Sequence, residues 1–153
     1  MMLKCRKKYA GGEDIGFVGD VEQVDATLLS DLIHKGVVPV MAPLTHDGHG
    51  NMLNTNADTI AGETAKALSA LFDVTLVYCF EKKVVLRDEN DDDSVIPQIT
   101  RAEFEQYVAD GVIQGGMIPK LENSFEAINA GVSEVLITLA SAINNSGGTR
   151  IKK

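Results

Sequence analysis

Apolar residues along this chain switch between helical and extended spacing, and that switching sets the fold class. Leu28, Leu29, Leu32 and Ile33 form a helical stripe that Gly36 ends. Residues 37–42 read as a buried strand, with Pro39 marking an irregular or edge position. Residues 45–50 are turn chemistry between two short extended pieces. Ile60, Ala61, Thr64, Ala65, Leu68 and Leu71 predict a helix of about fourteen residues. Residues 74–80 are a continuous apolar run, as in a parallel strand covered on both faces. Residues 87–94 read as a solvated loop. Thr100 and Glu103 predict a capping box for a helix carrying Phe104, Tyr107 and Val108. Leu121, Phe125 and Ile128 predict a further helix, and residues 134–140 a third strong strand. Such alternation predicts an α/β fold, a mostly parallel sheet with helices on both faces. No internal repeat or linker interrupts it, so residues 1–15 read as a charged leader or loop and residues 16–153 as one domain.

Composition narrows the partners. A net charge of −8 argues against a nucleic-acid or membrane surface, both of which select basic patches. Local donors together with Mg²⁺ still allow a polyanion such as ATP. Cys5 and Cys79 show neither metal-ligand spacing nor a disulfide framework, and Cys79 is expected to pack as a small hydrophobe inside its strand. No signal peptide or membrane-length apolar run is visible, so a reducing cytoplasm is the expectation.

Two segments carry candidate chemistry. In the run Asn54-Thr55-Asn56-Ala57-Asp58, two amides and one carboxylate gather at a strand–loop–helix junction. Asp58 is expected to cap the helix, and ligands of open α/β sheets bind at such junctions. In the run Gly111-Val112-Ile113-Gln114-Gly115-Gly116-Met117-Ile118-Pro119-Lys120, the glycine pair allows close backbone approach to a ligand, and Pro119 suits a first helical turn. Lys120 then lies where the helix dipole disfavours a cation, which suits it to meet an anion. His46, Asp47 and His49 sit in a glycine-rich turn with no fourth ligand, and Asp91-Asp92-Asp93 read as a solvated turn, so no metal centre is expected.

Together these segments resemble the acetylglutamate kinase family, within the amino acid kinases. The resemblance also runs through residues 16–24 (its hairpin), 36–43 (its central strand) and 148–151 (its C-terminal strand). It implies a three-layer α/β/α sandwich and transfer of the γ-phosphoryl of MgATP to the side-chain carboxylate of an N-acylated glutamate, in arginine synthesis. By that resemblance Asn54 binds the acylglutamate with Asn56 beside it, Asp58 orients catalytic lysines, and Lys120 stabilises the transferring phosphoryl group. Glu81, Lys83 and Leu86, with Val112, Ile113, Gln114, Gly115 and Gly116, would line the nucleotide. Where the family carries Thr-Asp and then a glycine after that strand, this chain reads Phe80-Glu81-Lys82-Lys83-Val84.

The resemblance reaches only the family's C-terminal, nucleotide-binding half. The lysine–glycine phosphate loop, second glycine loop and substrate arginine of the N-terminal half are not found here. The expectation is therefore the ATP-binding half of an acetylglutamate kinase, forming a homo-oligomer or pairing with a missing N-terminal half. The alternatives are a kinase for another acylglutamate, such as succinylglutamate, and a catalytically silent module that binds a nucleotide or a partner chain.

Overall fold

The structure, a computed structural model, describes residues 2–80, 85–88, 90–91, 94–143 and 147–152. The chain divides into two compact units, Met1–Leu71 and Phe72–Lys153.

The first unit opens with β1 (Leu3–Ala10) and β2 (Glu13–Val24), an antiparallel hairpin. Residues 1–15, expected to be a leader, thus supply a strand, and Gly11 and Gly12 make the turn with φ of 59° and 87°. Positive φ at both turn positions matches the twist of the flanking strands. Residues 16–24, expected to be a hairpin, are the second strand alone. Two short strands, β3 (Leu44–His46) and β4 (Met52–Asn54), pair antiparallel with each other. In turn β3 lies parallel to β1 and β4 parallel to β2, closing a ring in the order β1-β2-β4-β3. Leu3, Cys5, Thr45, Leu53 and Thr55 are buried within this unit. Two helices complete it, α1 (Ala26–His34) and α2 (Ala57–Leu68). Leu29 of α1 and Ile60 and Ala65 of α2 are buried, whereas Leu71, assigned to the second helix by spacing, lies beyond its end and is exposed.

Residues 37–42 depart from the expectation of a buried strand. They join no strand ladder, and Val38 and Val40 are 83% and 95% exposed. Pro39 within this stretch and Pro43 just after it have no N–H groups to donate, which interrupts any ladder there.

The second unit is a sheet in the order β5-β7-β8-β6, from β5 (Thr75–Phe80), β6 (Gln98–Ile99), β7 (Glu134–Leu139) and β8 (Thr149–Ile151). The pairs β5/β7 and β6/β8 are parallel and β7/β8 antiparallel, so the sheet is mostly parallel, as expected. Its helices are α3 (Arg101–Ala109) and α4 (Met117–Asn129). The capping box is present: the Thr100 N–H and hydroxyl both donate to Glu103, holding that carboxyl below its usual range. From α4, Leu121, Phe125 and Ile128 enter the core beside Leu76, Tyr78, Val135, Ile137 and Ile151. Arg101 ties the helices together, 2.5 Å from Glu122 and with its guanidinium 5.4 and 5.5 Å from the Phe104 and Phe125 ring centroids.

Here β5 is an edge strand, and the expectation that both its faces are covered is not met within this unit. Leu76 and Tyr78 point into the core, while Cys79 is exposed rather than packed and Val77 is 36% exposed. Alternate residues of a strand face opposite ways, so one face of the run stays open.

At the start of β8 the backbone passes against β7. Gly148 has φ +148°, and a Cβ there would stand 2.7 Å from the Ile137 carbonyl oxygen and 2.9 Å from Leu136 Cδ1. Both the conformation and the space exclude a side chain. Gly148→Ala is expected to destabilise the chain by about 2 kcal/mol or more, read as a lower midpoint in urea denaturation.

Candidate functional site

The candidate residues fall on the two units separately. In the first, the junction from β4 to α2 alternates: Leu53 and Thr55 are buried, Asn54 and Asn56 exposed. Buried hydroxyls fix that alternation. Thr55 Oγ1 donates to the Gly19 carbonyl at 3.2 Å and stands 3.0 Å from Thr45 Oγ1, which donates to the Leu53 carbonyl at 3.2 Å. The Thr55 N–H donates to the Pro43 carbonyl at 3.0 Å. Asn54 and Asn56 must then project outward on either side of Thr55.

Asn56, rather than Asp58, caps α2. Its Oδ1 accepts the Thr59 N–H at 3.0 Å, and among the described residues its amide N–H groups take no partner. Spacing alone favours either residue, since both are good caps; the extended backbone at Asn56 decides it. Asp58 is half-buried in the first helical turn, where the dipole favours a carboxylate.

In the second unit, the glycine pair leads into α4. Gly115 has φ +56°, and no atom lies within 4 Å of where a Cβ would sit on Gly115 or Gly116, so the backbone is open to an approaching group. Gly116 stands at the N-cap without a side-chain bond. The next amides are already occupied, Met117 N–H by the Gln114 carbonyl at 3.3 Å and Ile118 N–H by the Gly115 carbonyl at 3.2 Å. Pro119 has no N–H to offer. The helix start therefore presents few free amides, and Lys120, fourth residue of α4, is its cationic group. The Lys120 ammonium lies 3.5 Å from the centroid of Phe80, the last residue of β5. Among the described residues no carboxylate pairs with it. Ser124, buried one turn on, donates to the Lys120 carbonyl at 2.8 Å.

The remaining nucleotide candidates divide. Gln114 is exposed and bonds the Gly111 carbonyl, and Val112 and Leu86 are half-buried. Ile113 is a core residue at 2% exposure, so its side chain does not face a ligand. Glu81 and Lys83 lie outside the described residues. Phe80 is the residue spacing did not single out, although its position at a strand end before a charged run was visible.

A cavity of about 740 Å³ lined by Ile128, Val132, Ser133, Glu134 and Arg150 lies elsewhere, where β7 begins. Ligands of α/β sheets gather at the opposite, C-terminal strand ends, and the Arg150–Glu134 ion pair occupies its polar side.

The sequence model of the amino acid kinase family matches residues 3–139. This chain belongs to the amino acid kinase family. The acetylglutamate kinase of Bacteroides thetaiotaomicron is 91% identical over 152 residues, covering 99% of this chain and 59% of that protein. This amino acid kinase chain thus spans about three-fifths of the curated relatives it matches, 58% for the Bacteroides fragilis acetylglutamate kinase at 82% identity. In fold it superposes on the N-acetylglutamate synthase of Neisseria gonorrhoeae with a TM-score of 0.82 at 21% identity, covering 99% of this chain and 36% of that one. Among the described residues no group of His, Cys, Asp and Glu is placed to hold a metal, and no helix is long and apolar enough to cross a membrane.

Asp47 belongs to the loop between β3 and β4. Its carboxylate accepts the Asn51 side-chain N–H at 2.6 Å and the His49 and Asn51 amides at 2.7 and 3.2 Å, lowering its pKa from 3.8 to about 2. A depressed folded-state pKa contributes stability above the unfolded value, and that contribution is lost as pH falls toward the folded one. Stability is expected to decline from pH 3.8 toward about 2, less steeply in Asp47→Asn, as followed by acid titration of the far-UV circular dichroism. Thr55→Val, which removes the buried hydroxyl, is expected to cost about 1–3 kcal/mol in urea denaturation.

Proposed function

We propose that this chain is the nucleotide-handling part of an acetylglutamate kinase-type phosphotransferase of arginine synthesis. In that reaction a carboxylate oxygen of N-acetyl-L-glutamate bonds to the γ-phosphorus of MgATP, the bond to the β–γ bridging oxygen breaks, and ADP leaves. N-acetylglutamyl 5-phosphate is the other product. The observation that carries this reading is the 91% identity to an acetylglutamate kinase across 99% of the chain.

The side chains fit their assigned parts. Phosphoryl transfer asks little covalent chemistry of a protein, so cationic stabilisation and positioning supply most of the acceleration. Lys120 offers an ammonium committed to no described carboxylate, at the C-terminal end of β5. Gly115 and Gly116 leave the backbone open for phosphate oxygens. Asn54 extends an unengaged amide toward an acylglutamate, Asn56 keeps its N–H donors, and Asp58 supplies the carboxylate that orients cations. Mg²⁺ arrives as part of the substrate, on the phosphates. Leu86, Val112 and Gln114 line the nucleotide, and Ile113, buried, belongs to the core beneath.

The chain's span of about three-fifths of its relatives favours a second reading for the polypeptide alone: nucleotide binding without turnover. Catalytic charges act as a unit, and a partial set loses most of the rate. Pairing with polypeptide that supplies the rest, or with further copies of the chain, is consistent with the exposure of Val38 and Val40. The acyl group accepted, acetyl or succinyl, belongs to the same question. A cytoplasmic location follows from the biosynthetic role.

Calorimetric titration with MgATP is the deciding experiment. Saturable binding is expected, weakened at least tenfold in Lys120→Ala, about the 1.4 kcal/mol per decade that loss of one phosphate-facing cation accounts for. A folded chain that takes up no MgATP would overturn the reading. Phosphorylation of N-acetylglutamate by the chain alone would exclude the binding-only alternative.

A further inference from the structure

We infer that Phe80 is a positioning residue for Lys120: its ring is the resting seat that keeps the ammonium aimed at the C-terminal end of β5 until phosphate replaces it. The inference rests on the phosphoryl-binding reading of Lys120.

A cation at the start of a helix is disfavoured by the dipole and has no reason to stay near the first turn. The usual remedy, a carboxylate partner, would neutralise the charge that phosphoryl transfer needs and would have to be displaced by substrate. The ring face supplies a different solution. Its quadrupole attracts the ammonium, which lies 3.5 Å from the centroid, yet adds no negative charge and leaves N–H groups free. Exchange of a ring face for a phosphate oxygen is therefore strongly downhill, whereas exchange of one anion for another is nearly balanced.

The seat itself is built into the fold. Phe80 is half-buried at the end of β5, paired in register with Leu139 of β7. Tyr78, two residues back on the same buried face, stacks against it with centroids 6.1 Å apart and planes 13° apart. Lys120 comes from the opposing helix start, whose carbonyl the Ser124 hydroxyl holds. A strand-end aromatic, a buttressing aromatic and a fixed helix start thus converge on one ammonium. Leu76, Tyr78 and Phe80 share that face, so the ring continues the core outward by one residue rather than anchoring it. Its loss is expected to leave the fold intact.

The test compares the wild-type chain with Phe80→Leu and Phe80→Tyr. The Lys120 Hε resonances are expected to lie upfield in the free chain, shifted by the ring current, to stay upfield in Phe80→Tyr and to return to ordinary lysine positions in Phe80→Leu. MgATP affinity is expected to fall about threefold or more in Phe80→Leu, the size of an exposed cation–π contribution, and to be kept in Phe80→Tyr. Adenosine affinity, which involves no phosphate, should not change. Unshifted Lys120 resonances in the wild type, or equal MgATP affinities in all three chains, would overturn the inference. A parallel loss of adenosine affinity would also overturn it, marking Phe80 as part of the general pocket. If the wild type shows the upfield resonances but binds no MgATP, the phosphotransferase reading fails, and the positioning role falls with it although the contact stands.

Discussion

The buried hydroxyl of Thr55 is the constraint on which the first unit's chemistry depends. A ring of four strands this small has almost no interior, and the space it has is filled by Cys5, Thr45, Leu53 and Thr55. Polar groups in such a place persist only if bonded, and these bond to one another and to the Gly19 and Leu53 carbonyls. Gly19 is part of the same fit: a Cβ there would stand 3.0 Å from Cys5, Leu53 and Thr55 at once. Because Thr55 is pinned inward, strand geometry obliges Asn54 and Asn56 to face out. The helix must then start at Asn56, and Asp58 falls in its first turn. Two exposed amides and a carboxylate owe their placement to one inward-facing hydroxyl.

The second unit solves a different electrostatic problem, the holding of a cation that pairs with no carboxylate among the described residues. The start of α4 spends its first amides on a local turn and carries a proline at its third position, so it offers little of the anion binding that helix ends usually provide. The positive charge must come from a side chain, and the dipole works against it. The Phe80 ring and the rigid seating of Leu121, Phe125 and Ile128 on the sheet keep that side chain where the backbone alone would not. A lysine in this position fixes its direction while keeping its charge.

How much of this was legible in the sequence varies with the range of the interaction involved. The capping box at Thr100, the α4 stripe and the β7 run are local patterns, and the structure reproduces each. Membership of the amino acid kinases was legible from ordered short motifs. Failures occurred where burial depends on what lies opposite. Residues 37–42 are as apolar as a core strand, yet nothing in their composition states whether a ladder partner is present. Cys79 reads as core for the same reason and is exposed because it lies, with Val77, on the face of β5 that stays open. The charged residues 1–15 read as a leader because alternating lysines look the same in a solvated strand as in a tail. The cap of α2 lies two residues before Asp58, since Asn56 and Asp58 are near-equal competitors and backbone conformation chooses between them. Phe80 carries no sequence signal of its own, because an aromatic at a strand end is ordinary and the lysine on its face lies forty residues on in the chain.

The division of the chain bears on chemistry as well as on fold. Asn54, Asn56 and Asp58 belong to one compact unit and Lys120 with its Phe80 seat to the other. Each unit fixes its own groups by local means, the hydroxyl network in one and the helix seating in the other. Phosphoryl transfer demands more, because acceptor, phosphate and cation must lie within a hydrogen bond of their productive geometry at the same moment. Local rigidity cannot supply that across two units. The local geometry of each unit therefore accounts for the placing of its own groups, and turnover asks for more than either unit holds by itself. A chain can keep every binding group in place and still be slow.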